Sequence, residues 1–326
     1  MDVIAFGTVF LEVVFGEVPA LPGPGEEIYT DQFAFSCGGG AVTVATAASR
    51  LGVHAGMSAL LGDDLGSRVV EQHCRRAGVD LTPSCYVSGP VTGVSVAVNF
   101  GGNRAFISHL PPHPAADRRD LGRWLEVLRA HRPRWCYVHA RTGVAPFIAE
   151  AHSLGVQVAV DVALGDIADD PGAVIDCARL ADVFLPNEEE LLALTRASSF
   201  DAAVEAAVTW CPCVVVTRGA NGAVVARPGR AGAGAKRGGG NNNCTHVREG
   251  IAPGPARDRT GAGDAFAGAL IGALCQGAPI TEAAVAGNAA GSQTVRVLGA
   301  VGEVAMDELW VMPPPLTSVL HTRQHT

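Results

Sequence analysis

Short apolar runs alternate with helical stretches along most of this chain, and this rhythm constrains the fold more than any other feature. The apolar runs are nearly continuous, which is typical of parallel strands buried on both faces. Strands are predicted at residues 3–7, 55–61, 135–139, 156–162, 183–186 and 214–217, and helices at residues 43–51, 65–77, 146–154, 173–181 and 188–194. The alternation predicts an α/β fold, with a parallel sheet covered by helices on both faces.

Three segments depart from this rhythm. Residues 10–35 are rich in proline and glycine, and residues 84–110 alternate polar and apolar side chains around a hairpin-like turn at 101–103. These two segments predict a small separate sheet or, alternatively, a pair of ordinary surface hairpins. Residues 230–254 contain three glycines followed by three asparagines at 238–243, a composition that predicts a flexible loop.

Composition limits the class of protein. Positions 1–326 are long enough for a single large α/β domain, and 48% hydrophobic with 17% charged residues is typical of a globular chain with a sizeable core. The sequence contains no apolar run of membrane-spanning length. A net charge of -8 argues against a nucleic-acid partner. Nine scattered cysteines predict reduced thiols in a cytoplasmic protein.

Residues 257–266 carry the strongest functional signal. Gly261, Ala262 and Gly263 directly precede an apolar helical segment, so their backbone N–H groups can approach a ligand at the positive end of the helix dipole. This arrangement favours an anion site. Asp264 at its edge is either a plain helix cap or an acid that takes part in the chemistry.

These residues resemble the signature D-[TR]-T-G-A-G-D-x-F of the ribokinase-like (PfkB) family of carbohydrate and nucleoside kinases. Four further segments resemble motifs of that family and occur in the family's order. They are the glycine signature at 38–52, a G-x-D-x-G segment at 62–66 that is one residue shorter than the family's G-x-D-x-x-G, the N-x-x-E motif at 187–190, and the nucleotide-binding strand and turn at 216–223. Together the motifs extend from residue 3 to about residue 300.

The resemblance implies a three-layer α/β/α fold with a mostly parallel central sheet and a small β-sheet lid made by segments 10–35 and 84–110. It implies an ATP-dependent phosphotransferase that uses Mg²⁺ and phosphorylates a hydroxymethyl group of a sugar or sugar-like molecule. Asp264 is then the general base, and the N–H groups of Gly261, Ala262 and Gly263 form the anion hole.

The resemblance also implies cofactor-binding residues, each with an ordinary structural alternative. Asn187 lies near the nucleotide phosphates and Glu190 organises Mg²⁺ through water, whereas their segment also suits a solvated helix start. Thr217, Gly219 and Gly222 contact the nucleotide or simply form a left-handed turn. The remaining candidates are Asn288, near adenine or facing solvent, and Asp258 with Thr260, in a loop that binds a monovalent cation such as K⁺.

The acceptor side departs from the family pattern. Gly39 and Gly40 belong to the glycine signature, but Glu12 stands where the family usually has Asp, and Thr43 stands where it has Asn. A carboxylate and a hydroxyl still suit a polyhydroxylated substrate. Phe10 and Phe33 are candidates to pack on a sugar or a base, although lone aromatic residues more often pack in a core or within the lid. A homodimer formed through the lid is a further expectation.

Two other functions stay open: a nucleoside kinase of the same fold, and a catalytically silent ligand-binding or regulatory member. A Rossmann dehydrogenase is disfavoured, because Phe266 stands at the place of the third glycine. The chain also lacks the G-x-x-x-x-G-K-[ST] motif of P-loop enzymes and the G-x-S-x-G motif of hydrolases.

Overall fold

The structure, a computed structural model, describes residues 1–101, 103–112, 121–229 and 243–304. The strands in chain order are β1 (Val3–Phe6), β2 (Phe10–Val18), β3 (Gln32–Gly38), β4 (Ala55–Ser58), β5 (Leu60–Leu61), β6 (Cys85–Tyr86), β7 (Gly93–Phe100), β8 (Asn103–His109), β9 (Trp135–His139), β10 (Gln157–Asp161), β11 (Val183–Phe184), β12 (Val214–Thr217), β13 (Ala223–Arg227) and β14 (Asn243–Val247). The helices are α1 (Gly40–Arg50), α2 (Leu65–Ala77), α3 (Gly122–His131), α4 (Val144–Ser153), α5 (Leu164–Asp169), α6 (Pro171–Leu180), α7 (Glu188–Thr195), α8 (Phe200–Ala207), α9 (Ala262–Cys275) and α10 (Ile280–Thr294).

The main sheet has eight strands in the order β14-β13-β12-β11-β10-β9-β1-β4. The strands from β12 to β4 are parallel, and β13 and β14 continue the sheet in antiparallel fashion. The prediction of a mostly parallel sheet is therefore confirmed. The prediction of a flexible loop at 230–254 is wrong for residues 243–247, because these residues form β14. That strand is held by backbone pairing to β13 and only Val247 is buried, so its composition resembles a loop. Residues 230–242 lie outside the described part of the chain.

Helices cover both faces of the main sheet. Along β1, Val3 and Ala5 belong to the core beneath α1, α2, α9 and α10, whereas Ile4 and Phe6 belong to the core beneath α3, α4, α6, α7 and α8. Strands with both faces buried read as continuous apolar runs. Each fully buried aliphatic side chain contributes roughly 1.5–3 kcal/mol to stability. The three-layer α/β/α arrangement follows from these two cores. Within the described ranges, no helix combines the length and apolar character needed to cross a bilayer.

A second sheet has the order β3-β2-β7-β8 and forms the lid. Strand β2 pairs antiparallel with β3 and parallel with β7, so the two predicted segments join in one sheet and are not separate hairpins. The inner face of the lid carries a polar row formed by register partners, namely Glu12, Ser36, Ser95 and Ser108. The outer face carries the apolar row Val13, Phe35, Val96 and Ile107.

Candidate active site

The ends of several parallel strands open into one cleft of about 740 Å³. His139 is the last residue of β9, Asp161 of β10 and Thr217 of β12, and all three line this cleft. Ligands of open α/β sheets collect at the carboxyl ends of the strands, where loops diverge. The cleft is therefore the default position for a substrate site in this fold.

Helix α9 begins at the floor of the cleft. Its N-cap, Gly261, has a φ of 72°, and an added Cβ would lie 2.6 Å from the Cβ of Ala300, so glycine is needed here. The N–H of Ala262 lies 3.4 Å from the carbonyl of Arg259. An added Cβ on Gly263 would meet no atom within 4 Å, so this residue borders open space in the cleft. A helix start that faces a cleft in this way suits an anion.

The Asp264 carboxylate, in the first turn of α9, belongs to a hydrogen-bonded network. The Tyr137 hydroxyl lies 3.1 Å from Asp264 Oδ1, 2.9 Å from Asp161 Oδ2 and 2.9 Å from His139 Nε2. Strand register explains the meeting. Tyr137 and His139 are two residues apart on β9 and share a face, and His139 is the register partner of Asp161 on β10. We call these four residues the Tyr137 network.

Gly40 leaves room for this network. A Cβ at Gly40 would lie 2.9 Å from Asp264 Oδ1, 2.9 Å from His139 Nε2 and 3.1 Å from the Tyr137 hydroxyl. The ligand-type atoms of His139, Asp161 and Asp264 lie within 4.8 Å of one another. Because the Tyr137 hydroxyl is within hydrogen-bonding distance of all three, we describe the cluster as a proton-sharing network.

The network has unusual electrostatics. Burial raises the pKa of Asp161 to about 6, although His139 opposes the rise. Burial by itself disfavours the charged form of His139, but Asp264, Asp161 and Asp166 outweigh this effect and raise its pKa to about 9. Burial and both carboxylates raise the pKa of Tyr137 well above its ordinary value. Shifts of this kind are concentrated at functional sites.

Asn187 and Glu190 form a capping box at the start of α7. The Asn187 side chain accepts the Glu190 N–H at 2.9 Å, and Glu190 Oε2 accepts the Asn187 N–H at 2.8 Å. The two residues therefore do form a helix start, as the alternative interpretation predicted. Both also line the cleft. Burial, with a contribution from Asp161, raises the pKa of Glu190 to about 8. Crowded carboxylates of this kind fit a hard cation such as Mg²⁺, which would favour their ionised form.

The predicted nucleotide-binding residues lie on one wall of the cleft. Thr217, Gly219 and Gly222 line it, and Gly222 has a φ of 80° that brings an added Cβ to 2.2 Å from the Val247 carbonyl oxygen. Asn288 does not face solvent. It is buried, lines the cleft, and donates from Nδ2 to the carbonyl oxygens of Val247 and Glu249 at 3.0 Å. Asn288 thus joins α10 to the end of β14.

Asp258 and Thr260 form a compact turn before α9. Asp258 Oδ1 accepts the Thr260 N–H at 2.9 Å and the Thr260 hydroxyl at 2.7 Å, while Asp258 Oδ2 accepts the Gly299 N–H at 2.9 Å. Both carboxylate oxygens already have protein donors, and Asp258 is buried. The turn anchors the loop that leads into Gly261. A monovalent-cation site at these residues stays a prediction.

The predicted acceptor residues lie beside the cleft, and among the described residues they are not part of its lining. Glu12 is buried on the inner face of the lid and accepts the Ala300 N–H at 3.3 Å. Thr43 is also buried, and its hydroxyl lies 3.3 Å from the Gly39 carbonyl oxygen, four residues earlier. Gly39 has a φ of 100°. Burial raises the pKa of Glu12 to about 7, against the effect of the Ala300 N–H.

The cleft and the Tyr137 network contain groups that the motifs did not indicate. Tyr137 and His139 belong to an apolar strand, and Arg104 and Arg259 are exposed cations that line the cleft from β8 and from the loop before α9. The sequence did contain a signal for His139, because a polar residue at the end of a buried strand often lies at a ligand site. Asn187, three residues after the end of β11, has a similar position. Phe33 lies on the outer face of the lid against Phe15 and Phe35, away from the cleft.

Known proteins resemble this chain over most of its length. The chain is 25% identical over 304 residues to the ribokinase of Haemophilus influenzae, and the match covers 88% of this chain and 90% of the relative. It is 27% identical over 288 residues to the aminoimidazole riboside kinase of Salmonella typhimurium, covering 81% and 83%. The solved structure of a putative Ribokinase II from E. coli in complex with ATP and Mg²⁺ matches with a TM-score of 0.72 at 20% identity, covering 93% of this chain and 96% of that one.

The ribokinase-like fold predicted from the motifs is therefore confirmed. Residues 2–305 match the family described as pfkB family carbohydrate kinase, and the chain belongs to that family.

Proposed function

We propose that this protein transfers the γ-phosphoryl group of ATP to a hydroxymethyl group of a sugar or sugar-like molecule. The observation that carries the proposal is the position of Asp264. Its carboxylate lies at the start of α9, in the same cleft as the turn after β12, and it is oriented by the Tyr137 hydroxyl at 3.1 Å. A carboxylate held in this way can accept the proton of an attacking hydroxyl.

Phosphoryl transfer depends mainly on positioning and on stabilising charge at the transferring oxygens. The backbone N–H groups at the start of α9, from Gly261 to Gly263, would donate to those oxygens. Thr217, Gly219, Gly222 and Asn288 line the wall on which the nucleotide would lie. Glu190 would hold Mg²⁺ through water, with Asn187 orienting it, and the cation would supply positive charge beside the phosphates.

On the acceptor side, Glu12 and Thr43, with Gly39 and Gly40, remain the proposed recognition residues. The inner face of the lid supports this assignment, because Glu12 shares its row with Ser36, Ser95 and Ser108. Hydroxyls and a carboxylate suit a ligand with several hydroxyl groups. The Thr43 hydroxyl would have to leave the Gly39 carbonyl oxygen to bind a substrate.

A nucleoside acceptor is the second candidate. Phe10 lies on the inner face two residues from Glu12, and an aromatic ring there suits stacking on a base. The relative named aminoimidazole riboside kinase also favours a riboside. A catalytically silent regulatory protein is the third candidate, and the intact Asp264 and glycine turn argue against it.

One experiment separates these functions. ADP formation from ATP and Mg²⁺ is measured with a panel of free sugars and a panel of nucleosides, for wild-type protein and for Asp264→Asn. Acceptor-dependent ADP formation with sugars supports the proposal, and a preference for nucleosides supports the second candidate. ATP binding without turnover on either panel would favour a silent member. Omission of K⁺ from the same assay tests the monovalent-cation prediction.

We also propose that the lid forms a homodimer through its outer face. Large apolar side chains remain accessible there, with Ile107 79% exposed and Phe33 44% exposed. Clustered exposed apolar side chains on one face commonly mark an association site. Sedimentation of wild type against Ile107→Lys tests this, since a monomeric wild type at micromolar concentration would refute it.

A further inference from the structure

The Tyr137 hydroxyl has three polar neighbours but only one proton to donate. These neighbours are Asp161 Oδ2, Asp264 Oδ1 and His139 Nε2, at 2.9, 3.1 and 2.9 Å. A phenol has one proton to donate and two lone pairs to accept with. Tyr137 is 0% exposed, so bulk water does not relieve a mismatch. The protons of the neighbours must therefore be arranged to suit this single hydroxyl.

If both carboxylates are ionised, only one of them receives the Tyr137 proton. The other then faces a lone pair across a hydrogen-bonding distance, which is unfavourable in a buried site. One proton on a carboxyl group removes the conflict. That carboxyl donates to the phenol oxygen, protonated His139 donates to its second lone pair, and Tyr137 donates to the remaining carboxylate. All three contacts are then hydrogen bonds.

The surroundings decide which carboxyl carries the proton. Asp161 is 8% exposed, and its other oxygen, Oδ1, accepts the Val162 N–H at 2.8 Å. Asp264 is less enclosed, with its side chain 23% exposed, and it lies in the first turn of α9, where the helix dipole stabilises an anion. Burial also raises the pKa of Asp161 to about 6. Asp161 is the better proton carrier.

We propose that Tyr137 is a positioning residue that places one shared proton on Asp161 and thereby keeps Asp264 ionised. This inference rests on the proposed function and specifies its base. In the reaction the acceptor O–H bond breaks and its oxygen bonds to the γ-phosphorus, while the bond from that phosphorus to the leaving ADP oxygen breaks. The released proton goes to Asp264 and leaves to solvent after product release, and the Asp161 proton is not consumed.

Charged groups on neighbouring elements also act on the network. Asp166 on α5 lies 3.9 Å from His139 Nδ1 and favours the imidazolium. Glu190 on α7 and Glu12 on β2 interact electrostatically with Asp161 and Asp264 respectively, and both add negative charge. Arg104 on β8 opposes them near Glu12. The surplus of acids favours retention of a proton in the network.

The test compares two substitutions of Asp161. In Asp161→Asn the amide can donate from Nδ2 to Tyr137 and accept the Val162 N–H, as protonated Asp161 does, whereas Asp161→Ala can do neither. We expect Asp161→Ala to lower kcat by at least about 30-fold, and Asp161→Asn to recover most of that loss, to within about fivefold of wild type. A folded Asp161→Asn protein that is as impaired as Asp161→Ala would overturn the proposal, because Asp161 would then act as an anion.

Tyr137→Phe gives a second, independent readout. Loss of the hydroxyl removes a hydrogen bond to ionised Asp264, so the acidic limb of the kcat profile should move to higher pH by about 1–2 units. A purely structural role would lower kcat without moving the limb, and an unmoved limb would contradict the inference.

Infrared difference spectroscopy separates this inference from the proposed function, since it needs no turnover. At the same pH near 6, the difference spectrum of ligand-free wild type minus Asp161→Asn should contain a carboxylic acid band that is absent from wild type minus Asp264→Asn. The bands of protonated Glu12 and Glu190 are common to all three proteins and cancel in the subtraction. Loss of the band in Asp264→Asn instead places the proton on Asp264 and refutes the inference. Absence of turnover on every acceptor, with the expected spectra, would refute only the proposed function.

Discussion

Gly40→Ala tests whether the Tyr137 network requires the space that glycine leaves. Gly40 is the first residue of α1, and among the described residues it is not one of those with a positive φ. Alanine therefore suits the backbone, and in a helix interior it is more favourable than glycine by roughly 0.5–1 kcal/mol. Any loss of activity must come from the added methyl group.

The expected size follows from the distances. The methyl carbon would lie 2.9 Å from Asp264 Oδ1 and from His139 Nε2, whereas ordinary contact begins at 3.4 Å. One partner must move by about 0.5 Å, and a displacement of 1 Å in an active site can cost about 100-fold in rate. We expect kcat to fall about tenfold, which corresponds to about 1.4 kcal/mol. The melting temperature should change little.

Steady-state phosphorylation with the best acceptor measures the effect, and Gly172→Ala is the matched control. Gly172 also lies in the first turn of a helix, and its added Cβ would reach only Asp170 Oδ1, at 3.4 Å. A Gly40→Ala enzyme within twofold of wild-type kcat would refute the steric argument. A raised acceptor KM with unchanged kcat would support the proposed contact between Gly40 and the acceptor but would contradict the steric effect on the network.

Three further predictions concern the same site. Asp264→Asn should lower kcat by roughly 10²–10⁴ with ATP affinity nearly intact, and an Asn variant with more than half of wild-type turnover would exclude the general base. Gly263→Val should reduce ATP-supported turnover more than the melting temperature, because its Cβ enters open cleft space; a collapse of stability would point to a backbone role. Glu12→Gln should raise the acceptor KM at least about tenfold with little change in the ATP KM. Because burial raises the Glu12 pKa from 4.5 to about 7, the folded state binds its proton more tightly than the unfolded state does. As the pH rises from 4.5 to about 7, the free energy of unfolding of wild type should therefore fall relative to that of Glu12→Gln, by up to about 3 kcal/mol. Urea unfolding measures this difference. A difference that does not change with pH would argue against a buried protonated Glu12.

Local patterns predicted the elements whose signals are local. Helix α2 and strands β9 and β12 have the predicted limits, because each is a periodic or apolar run with polar or glycine boundaries. Strand β14 was missed because its side chains are mostly exposed and only pairing with β13 holds it. Glycine motifs located the start of α9, since a backbone that must approach a ligand leaves a compositional trace.

The Tyr137 network could not be predicted in the same way. Tyr137 and Asp161 are 24 residues apart, and Asp264 lies 127 residues from Tyr137. Their meeting depends on the register of β9 with β10 and on the packing of α9, which no short segment encodes. Likewise, Asn288 has an ordinary helical context, and its bonds to the end of β14 arise only from the packing of α10.

The turn at residues 299–302 has a consequence for protein engineering. It receives the lid through the Ala300 N–H to Glu12 and the Ser36 hydroxyl to the Gly302 carbonyl oxygen, and on its other side it packs against Gly261. A chimaera that imports the four lid strands of a relative would replace the lid side of these contacts, Glu12 and Ser36, and would keep the turn that they bind. A transfer of substrate specificity into this chain should therefore include residues 299–302 together with the lid strands.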